Sequence, residues 1–276
     1  MILTIDAGNS RTKWALFDDA GEVVWQGVCL NADIAAAAFL PDNQAANSTI
    51  IANVAGKAHA EKISARLQQF HINQPHWAKA SAEACGLKNS YAQPETLGID
   101  RWAAMIAAWQ QIQAPCVVVN AGTAVTIDGI YPISAQNPSI GEFKGGLILP
   151  GLRLMQQSLG QATAQLPMPN ETQTTLSNPT RHNIFAQNTA DAILFGALHA
   201  IAGAITLMSH TLNAMFRTWP NVVMSGGDAR PIYKNMTADV TRQTIIVDNL
   251  VLQGLYLLEK EAQQHQTPRE NQGKTQ

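Results

Sequence analysis

Charge is scarce in this 276-residue chain: Lys, Arg, Asp and Glu together supply only 14% of it, and the formal balance is −2. A protein whose main task is gripping a phosphate backbone gathers Lys and Arg into blocks or faces. The sequence has no such block, so nucleic acid is not an expected partner. Cysteine is scarcer still. Cys29, Cys85 and Cys116 are odd in number and show neither a CxxC nor a Cys/His spacing. Cys29 and Cys116 sit in apolar runs and read as buried, reduced thiols. The seven histidines are scattered with no HxH or HExxH pattern, which leaves zinc chemistry without support. The opening MILTID lacks a positive n-region and carries an acid at position 6, unlike a signal peptide. The longest apolar stretch, Ala190 to Met208, contains Asp191, His199 and several Gly and Ala residues. It reads as a buried helix rather than a membrane span. A soluble, cytoplasmic protein without membrane contact is expected.

What is present is an ordinary globular balance, with 46% apolar residues, and a clear order of elements. Leu3 to Asp6, Lys13 to Phe17 and Val23 to Val28 alternate as strands around Gly-Asn-Ser and Asp-Asp-Ala-Gly turns. They predict an antiparallel meander. An Ala-rich helical stretch near 32–39 follows, then a strand from Thr49 to Val54. Ala60, Ile63, Leu67 and Phe70 recur at helical spacing between Lys57 and Phe70.

The same β-β-β-α-β-α order then recurs. Strands are expected at Cys116 to Asn120, Val125 to Ile130 and Gly145 to Leu149, with a helix from about Gly151 to Leu159. A polar segment, 167–181, reads as a loop, and a long helix is expected at 188–216. Strands at Val222 to Ser225 and Thr244 to Val247 and a helix at 249–262 complete the order. Ile5-Asp6-Ala7-Gly8-Asn9-Ser10 and Val119-Asn120-Ala121-Gly122-Thr123-Ala124 match in type at corresponding turns. The expectation is a duplicated α/β fold with two halves, 1–114 and 115–262, facing each other across a cleft, and a disordered tail at 263–276.

Three glycine turns, each following a strand, are the candidate ligand sites. At Asp6-Ala7-Gly8-Asn9-Ser10-Arg11-Thr12-Lys13, backbone N–H groups and the Asn9, Ser10 and Thr12 side chains could converge on one anion. Lys13 would add a point charge, and Asp6 an oxygen for Mg²⁺. The GxxxxGK[ST] spacing of a Walker loop is absent, and a plain hairpin turn would use the same letters. Asn120-Ala121-Gly122-Thr123 repeats the arrangement, with Thr123 able to donate to a phosphate. Ser225-Gly226-Gly227-Asp228 ends a strand where open α/β sheets bind ligands. Gly98-Ile99-Asp100-Arg101 opens a helix. Asp100 there is either a helix-dipole partner or a general base for a hydroxyl, and Arg101 is either solvated or an anion clamp. Asn188, Thr189 and Asp191 read first as an N-cap.

In combination these motifs resemble the type III pantothenate kinases, of the actin–hexokinase–Hsp70 superfamily, over essentially residues 1–260. The pairing of the Asp6–Ser10 opening and Lys13 with Tyr91 and Gly98–Arg101 is the specific part. Ala121–Ala124 with Asp128, Gly145-Gly146 with Pro150-Gly151, Asn188-Thr189 and Ser225–Asp228 follow in order. The resemblance implies an actin-like, RNase H-like fold and ATP-dependent phosphorylation of pantothenate in coenzyme A biosynthesis. It assigns residues 6–13, Thr123, Gly226 and Gly227 to ATP with Mg²⁺, and Asp100 to the proton-acceptor role. Tyr91, Gly98, Ile99, Asp100, Arg101 and Thr189 would line the pantothenate site, within a homodimer in which Thr189 serves a neighbouring subunit. The family's second turn opens with an Asp that holds K⁺ or NH₄⁺. Asn120 stands there in this chain, so monovalent-cation affinity should fall. Rival readings are a kinase for another small hydroxyl substrate, such as a sugar, and a nucleotide-binding regulator that has lost turnover.

Overall fold

The computed structural model describes residues 1–134, 137–162 and 184–266; the expected loop at 167–181 lies outside them. Strand β1 (Ile2–Ala7) pairs antiparallel with β2 (Arg11–Phe17), which pairs antiparallel with β3 (Val23–Leu30). The chain then runs through a 3-10 turn, Asn31–Ala36, to β4 (Ser48–Asn53), helix α1 (Lys57–Gln68) and β5 (His76–Trp77). Strands β4 and β5 are parallel additions beside β1, giving the order β3-β2-β1-β4-β5. The helix expected near 32–39 is thus only a short 3-10 turn. Its single fully buried side chain, Ile34, gives it too little apolar face to hold a longer helix against the sheet.

Short strands β6 (Glu83–Ala84) and β7 (Leu87–Asn89) precede helix α2 (Ile99–Ile112). The first pattern then returns. β8 (Cys116–Ala121), β9 (Ala124–Ser134) and β10 (Asn137–Pro150) form an antiparallel meander. Helices α3 (Leu152–Ala162) and α4 (Thr189–Phe216) follow. They lead to β11 (Asn221–Ser225), α5 (Ala229–Lys234), α6 (Ala238–Thr241), β12 (Thr244–Ile246) and α7 (Leu250–Gln266). The order β10-β9-β8-β11-β12, with β11 and β12 parallel to β8, repeats β3-β2-β1-β4-β5 strand for strand. The predicted duplication is therefore one of topology as well as of letters. Helix α7 continues to Gln266, four residues into the expected disordered tail.

The two compact units are not consecutive halves of the chain. One comprises Met1–Cys85, Glu95–Ala107 and the chain from Val251; the other comprises Gly86–Pro94 and Ala108–Leu250. In the first, Leu3, Ile5, Trp14, Leu16, Phe39, Ile51, Ile63 and Leu67 form a core between sheet and α1. In the second, Val117, Val119, Ile127, Val222 and Met224 meet Leu198, Ile201, Ile205 and Leu212 of α4. Helix α4 is long and apolar enough to cross a membrane by length and composition, but its apolar face fills this core. Cys116 is buried as expected, whereas Cys29, on the edge strand β3, is only partly covered.

Within the first unit, α7 lies hard against α2. A Cβ on Gly254 would fall 1.8 Å from the carbonyl oxygen of Ala103, so only glycine lets the two backbones approach this closely. Tyr256, two residues on, stacks on Phe17 with ring centroids 4.8 Å apart. Gly254→Ala is expected to cost about 1–3 kcal/mol through forced separation of the helices, read as a lower urea midpoint with an unchanged m-value.

Candidate active site

Asp6 ends the apolar run of β1 and pairs in register with Lys13 of β2. Directly opposed residues on antiparallel strands share a face, so carboxylate and ammonium stand together beside the Gly8-Asn9-Ser10 loop. Gly8 closes that loop by donating its N–H to the Arg11 carbonyl at 3.1 Å. A Cβ there would sit 3.3 Å from the same oxygen, so the glycine relieves crowding. Asn9, Ser10 and Arg11 are exposed, while Ala7 is fully buried and offers only its backbone.

Thr12 does not join the ligand face. Side chains alternate along a strand, and Thr12 therefore points opposite to Arg11 and Lys13, into the interior, with no exposed surface. Its hydroxyl lies 2.9 Å from Asn31 Oδ1 and 2.8 Å from His59 Nε2. The expectation that its side chain faces the anion is corrected accordingly. Asn31 and His59 carry no motif of their own. Their only sequence signals are a polar residue just after β3 and a polar residue on the buried face of α1.

Helix α2 opens at Ile99, and Trp102 donates its N–H to the Gly98 carbonyl at 3.0 Å. Asp100 Oδ1 folds back to accept from the Arg101 N–H at 2.9 Å. Gly98 makes this possible, since a Cβ there would lie 2.7 Å from that oxygen. The next turns are locked, with Trp102, Ala103, Ala104, Met105, Ile106 and Ala107 all buried. Arg101 is not a solvated cation, being only 5% exposed, and Ile99 beside it is buried too.

Electrostatics tie the two segments together. Burial above all, together with the charge of Asp100 and against the pull of Lys13, pushes the Asp6 carboxyl up to about 7. Burial also raises Asp100, opposed by the N–H and the charge of Arg101. Among the described residues no group of three or more His, Cys, Asp or Glu is arranged to hold a metal. A carboxylate kept partly protonated near neutrality beside a second one nonetheless suits a divalent cation, which would stabilise the charged form. The donor set fits such an ion at Asp6.

The second unit gathers the other two glycine turns. Gly122 and Thr123 link β8 to β9 in two residues, one fewer than the first turn, with Gly122 N–H donating to Ala124 O at 3.1 Å. Gly151 packs on this turn: its N–H reaches Thr123 O at 2.9 Å, and a Cβ would come within 2.1 Å of Gly122 O. Asn120 is paired in register with Ser225. Gly226, at φ +104°, lies against Ala121, where a Cβ would meet the carbonyl oxygen at 2.2 Å. Asp228 N–H then donates to that oxygen at 3.1 Å. Nothing lies within 4 Å of a Cβ at Gly227.

Tyr91 and Thr189 belong to this unit too. The Tyr91 ring leans on Phe143 with centroids 5.3 Å apart, and its N–H donates to Asn89 Oδ1 at 3.1 Å. Neighbouring Ser90 donates to Glu142 at 2.5 Å, and Tyr131 donates to the other oxygen of that carboxylate at 2.8 Å. These hydrogen bonds draw Glu142 below the usual carboxylate range, Ser90 having the largest effect. Thr189 is exposed at the start of α4, and Asn188 caps the helix by accepting from Asp191 N–H at 2.9 Å. The N-cap reading of Asn188 therefore holds.

Because the atom that Gly98→Ala would crowd is the end of a movable side chain, its effect is expected on chemistry rather than on folding. The carboxylate of Asp100 must swing away, and turnover should slow by roughly ten- to a hundredfold. The urea midpoint should stay near that of the unmodified protein. Parallel turnover and unfolding measurements check this.

A family model described as type III pantothenate kinase matches residues 2–211. The type III pantothenate kinase of Methylobacillus flagellatus is 39% identical over 264 residues, covering 94% of this chain and 98% of that protein. That of Nitrosospira multiformis is 36% identical over 262 residues, covering 95% and 92%. Among solved structures, a conserved Baf family protein of Campylobacter jejuni superposes with a TM-score of 0.59 at 22% identity, over 95% of this chain and 99% of the other. The ethanolamine utilization protein EutJ of Carboxydothermus hydrogenoformans gives 0.52 at 11% identity, over 93% and 89%. These two likenesses speak for the actin-like fold, whereas the near full-length relatives speak for descent. The chain belongs to the type III pantothenate kinase family.

Proposed function

We propose that the protein transfers the γ-phosphoryl group of ATP to the primary hydroxyl of pantothenate, giving 4′-phosphopantothenate, the first step of coenzyme A biosynthesis. The observation that carries this reading onto residues is the coupled group of Asp6, Lys13 and Asp100 in the first unit. The Gly8–Arg11 loop, exposed at Asn9, Ser10 and Arg11, receives phosphate oxygens, and Lys13 neutralises part of their charge. Mg²⁺, when bound at Asp6, would offset charge building on the phosphates. Asp100 takes the proton of the attacking hydroxyl, helped by a burial that makes it more basic than an ordinary carboxylate. Arg101 takes the substrate carboxylate, Gly98 leaves Asp100 room, and the family resemblance assigns Tyr91 to pantothenate as well. Thr123, Gly226 and Gly227 contact the nucleotide.

Positioning and charge neutralisation supply most of the rate in phosphoryl transfer. The enzyme is proposed to act as a cytoplasmic homodimer. The exposed Thr189 at the start of α4 supports a role toward a neighbouring subunit's substrate.

Asp100→Asn should lower turnover by about a hundredfold or more while leaving the fold intact; near-normal activity would remove Asp100 from the proton-acceptor role. The cation dependence should depart from the family pattern. Asn120 keeps an oxygen but no charge, so K⁺ is expected to activate weakly or not at all, and Asn120→Asp should increase activation. Initial rates with K⁺ and with a large inert cation check both, and strong K⁺ dependence of the unmodified enzyme would refute the assignment.

A further inference from the structure

The three carbonyls of the Gly8-Asn9-Ser10 loop all end on one residue. Asn31 Nδ2 donates to Gly8 O at 2.8 Å and to Asn9 O at 3.1 Å, and Asn31 backbone N–H donates to Ser10 O at 3.1 Å. Each peptide is planar and trans, so a fixed carbonyl fixes the following N–H in the opposite direction. Holding Gly8 O and Asn9 O on the Asn31 side therefore turns the N–H groups of Asn9 and Ser10 to the other side. Two N–H groups presented together are what an anion needs.

The polarity of the network is determined by the donor inventory. Both Nδ2 hydrogens of Asn31 are committed to carbonyls, so Oδ1 is left as an acceptor and takes the Thr12 hydroxyl hydrogen at 2.9 Å. Having given away its one hydrogen, Thr12 Oγ1 must accept from His59, whose Nε2 lies 2.8 Å away. His59 is thus fixed with its hydrogen on Nε2. Burial, reinforced by Lys62, holds its imidazole below the usual range, so it serves as a neutral donor. Thr12 is wholly buried and His59 only 7% exposed, so water competes little for these bonds.

We propose that Asn31 is a positioning residue for ATP, acting through the loop it braces and held in its orientation by Thr12 and His59. This rests on the assignment of residues 6–13 as the phosphate-binding turn. Asn31 itself touches no substrate. Its role is to set the direction of the peptide N–H groups before nucleotide arrives, which lowers the cost of ordering the loop on binding.

The test is a KM split measured on the full-length enzyme with the second substrate saturating. Asn31→Ala is expected to raise the KM for ATP roughly tenfold and leave the KM for pantothenate within about twofold. A purely structural loss would lower the active fraction and move neither KM. An ATP KM within about twofold of the unmodified enzyme overturns the proposal. Should Asn31→Ala not fold, Thr12→Val and Thr12→Ser replace it. A raised ATP KM in Thr12→Val that Thr12→Ser restores supports the brace, and any other result of the pair overturns it. Lys13→Ala separates the two levels of the inference. A raised ATP KM in Lys13→Ala with none in the brace variants sinks the brace alone, whereas an unchanged one sinks the phosphate-turn assignment and the brace with it.

Discussion

Two carboxylates, Asp6 and Asp100, share one region of the first unit with the ammonium of Lys13, and burial has removed much of the water that would otherwise solvate them. Like charges in a low-dielectric setting destabilise each other unless a proton or a cation intervenes. The surrounding structure keeps them there regardless. The β1–β2 register holds Asp6 opposite Lys13, and the bare Gly98 lets Asp100 fold back over the start of α2. Close packing along α2 leaves Asp100 no easy retreat. Stored repulsion of this kind is affordable only in a well-packed frame, and the core between the first sheet and α1 supplies it.

Duplication has been used unevenly. Both copies of the meander end their first strand at Asp/Asn-Ala-Gly, yet the turns that follow differ in length and in support. The first is a three-residue loop steadied by a side chain from just after β3. The second is a two-residue turn packed between Gly151 and Gly226, where backbone meets backbone and no side chain fits. One pattern thus yields a charged turn braced by a side chain and a neutral one packed backbone to backbone. Asn120 agrees with this division, since an amide at the second turn removes the charge that Asp6 carries at the first.

Much of this was legible in the letters. Alternation marked the strands of both meanders, and the Gly-x-Asp-Arg segment marked the helix start that carries Asp100. Thr12 was misread because it sits among exposed loop residues in sequence, although the two-residue period of β2 already directs it inward. Strands β5, β6 and β7 are only two or three residues long, too short for any periodicity to register. Asn31 and His59 were invisible for a different reason. Asn31 lies 23 residues from Gly8 and His59 47 from Thr12, so only the sheet register and the packing of α1 bring them to the loop. Buried Arg101 likewise depends on what covers it, which local sequence does not record.

The discontinuity of the first unit bears on how the molecule is made. Synthesis delivers β1 through α2 well before α7, whose Gly254 seats against Ala103. Contacts of such sequence separation are slow to form because a long loop must close before they repay its entropy. Until that closure, the helix bearing Asp100 lacks one of its covering surfaces. Assembly of the proposed centre around Asp6 and Asp100 thereby waits for α7, so a translation product interrupted just before that helix would carry every recognised motif and still lack this covering surface.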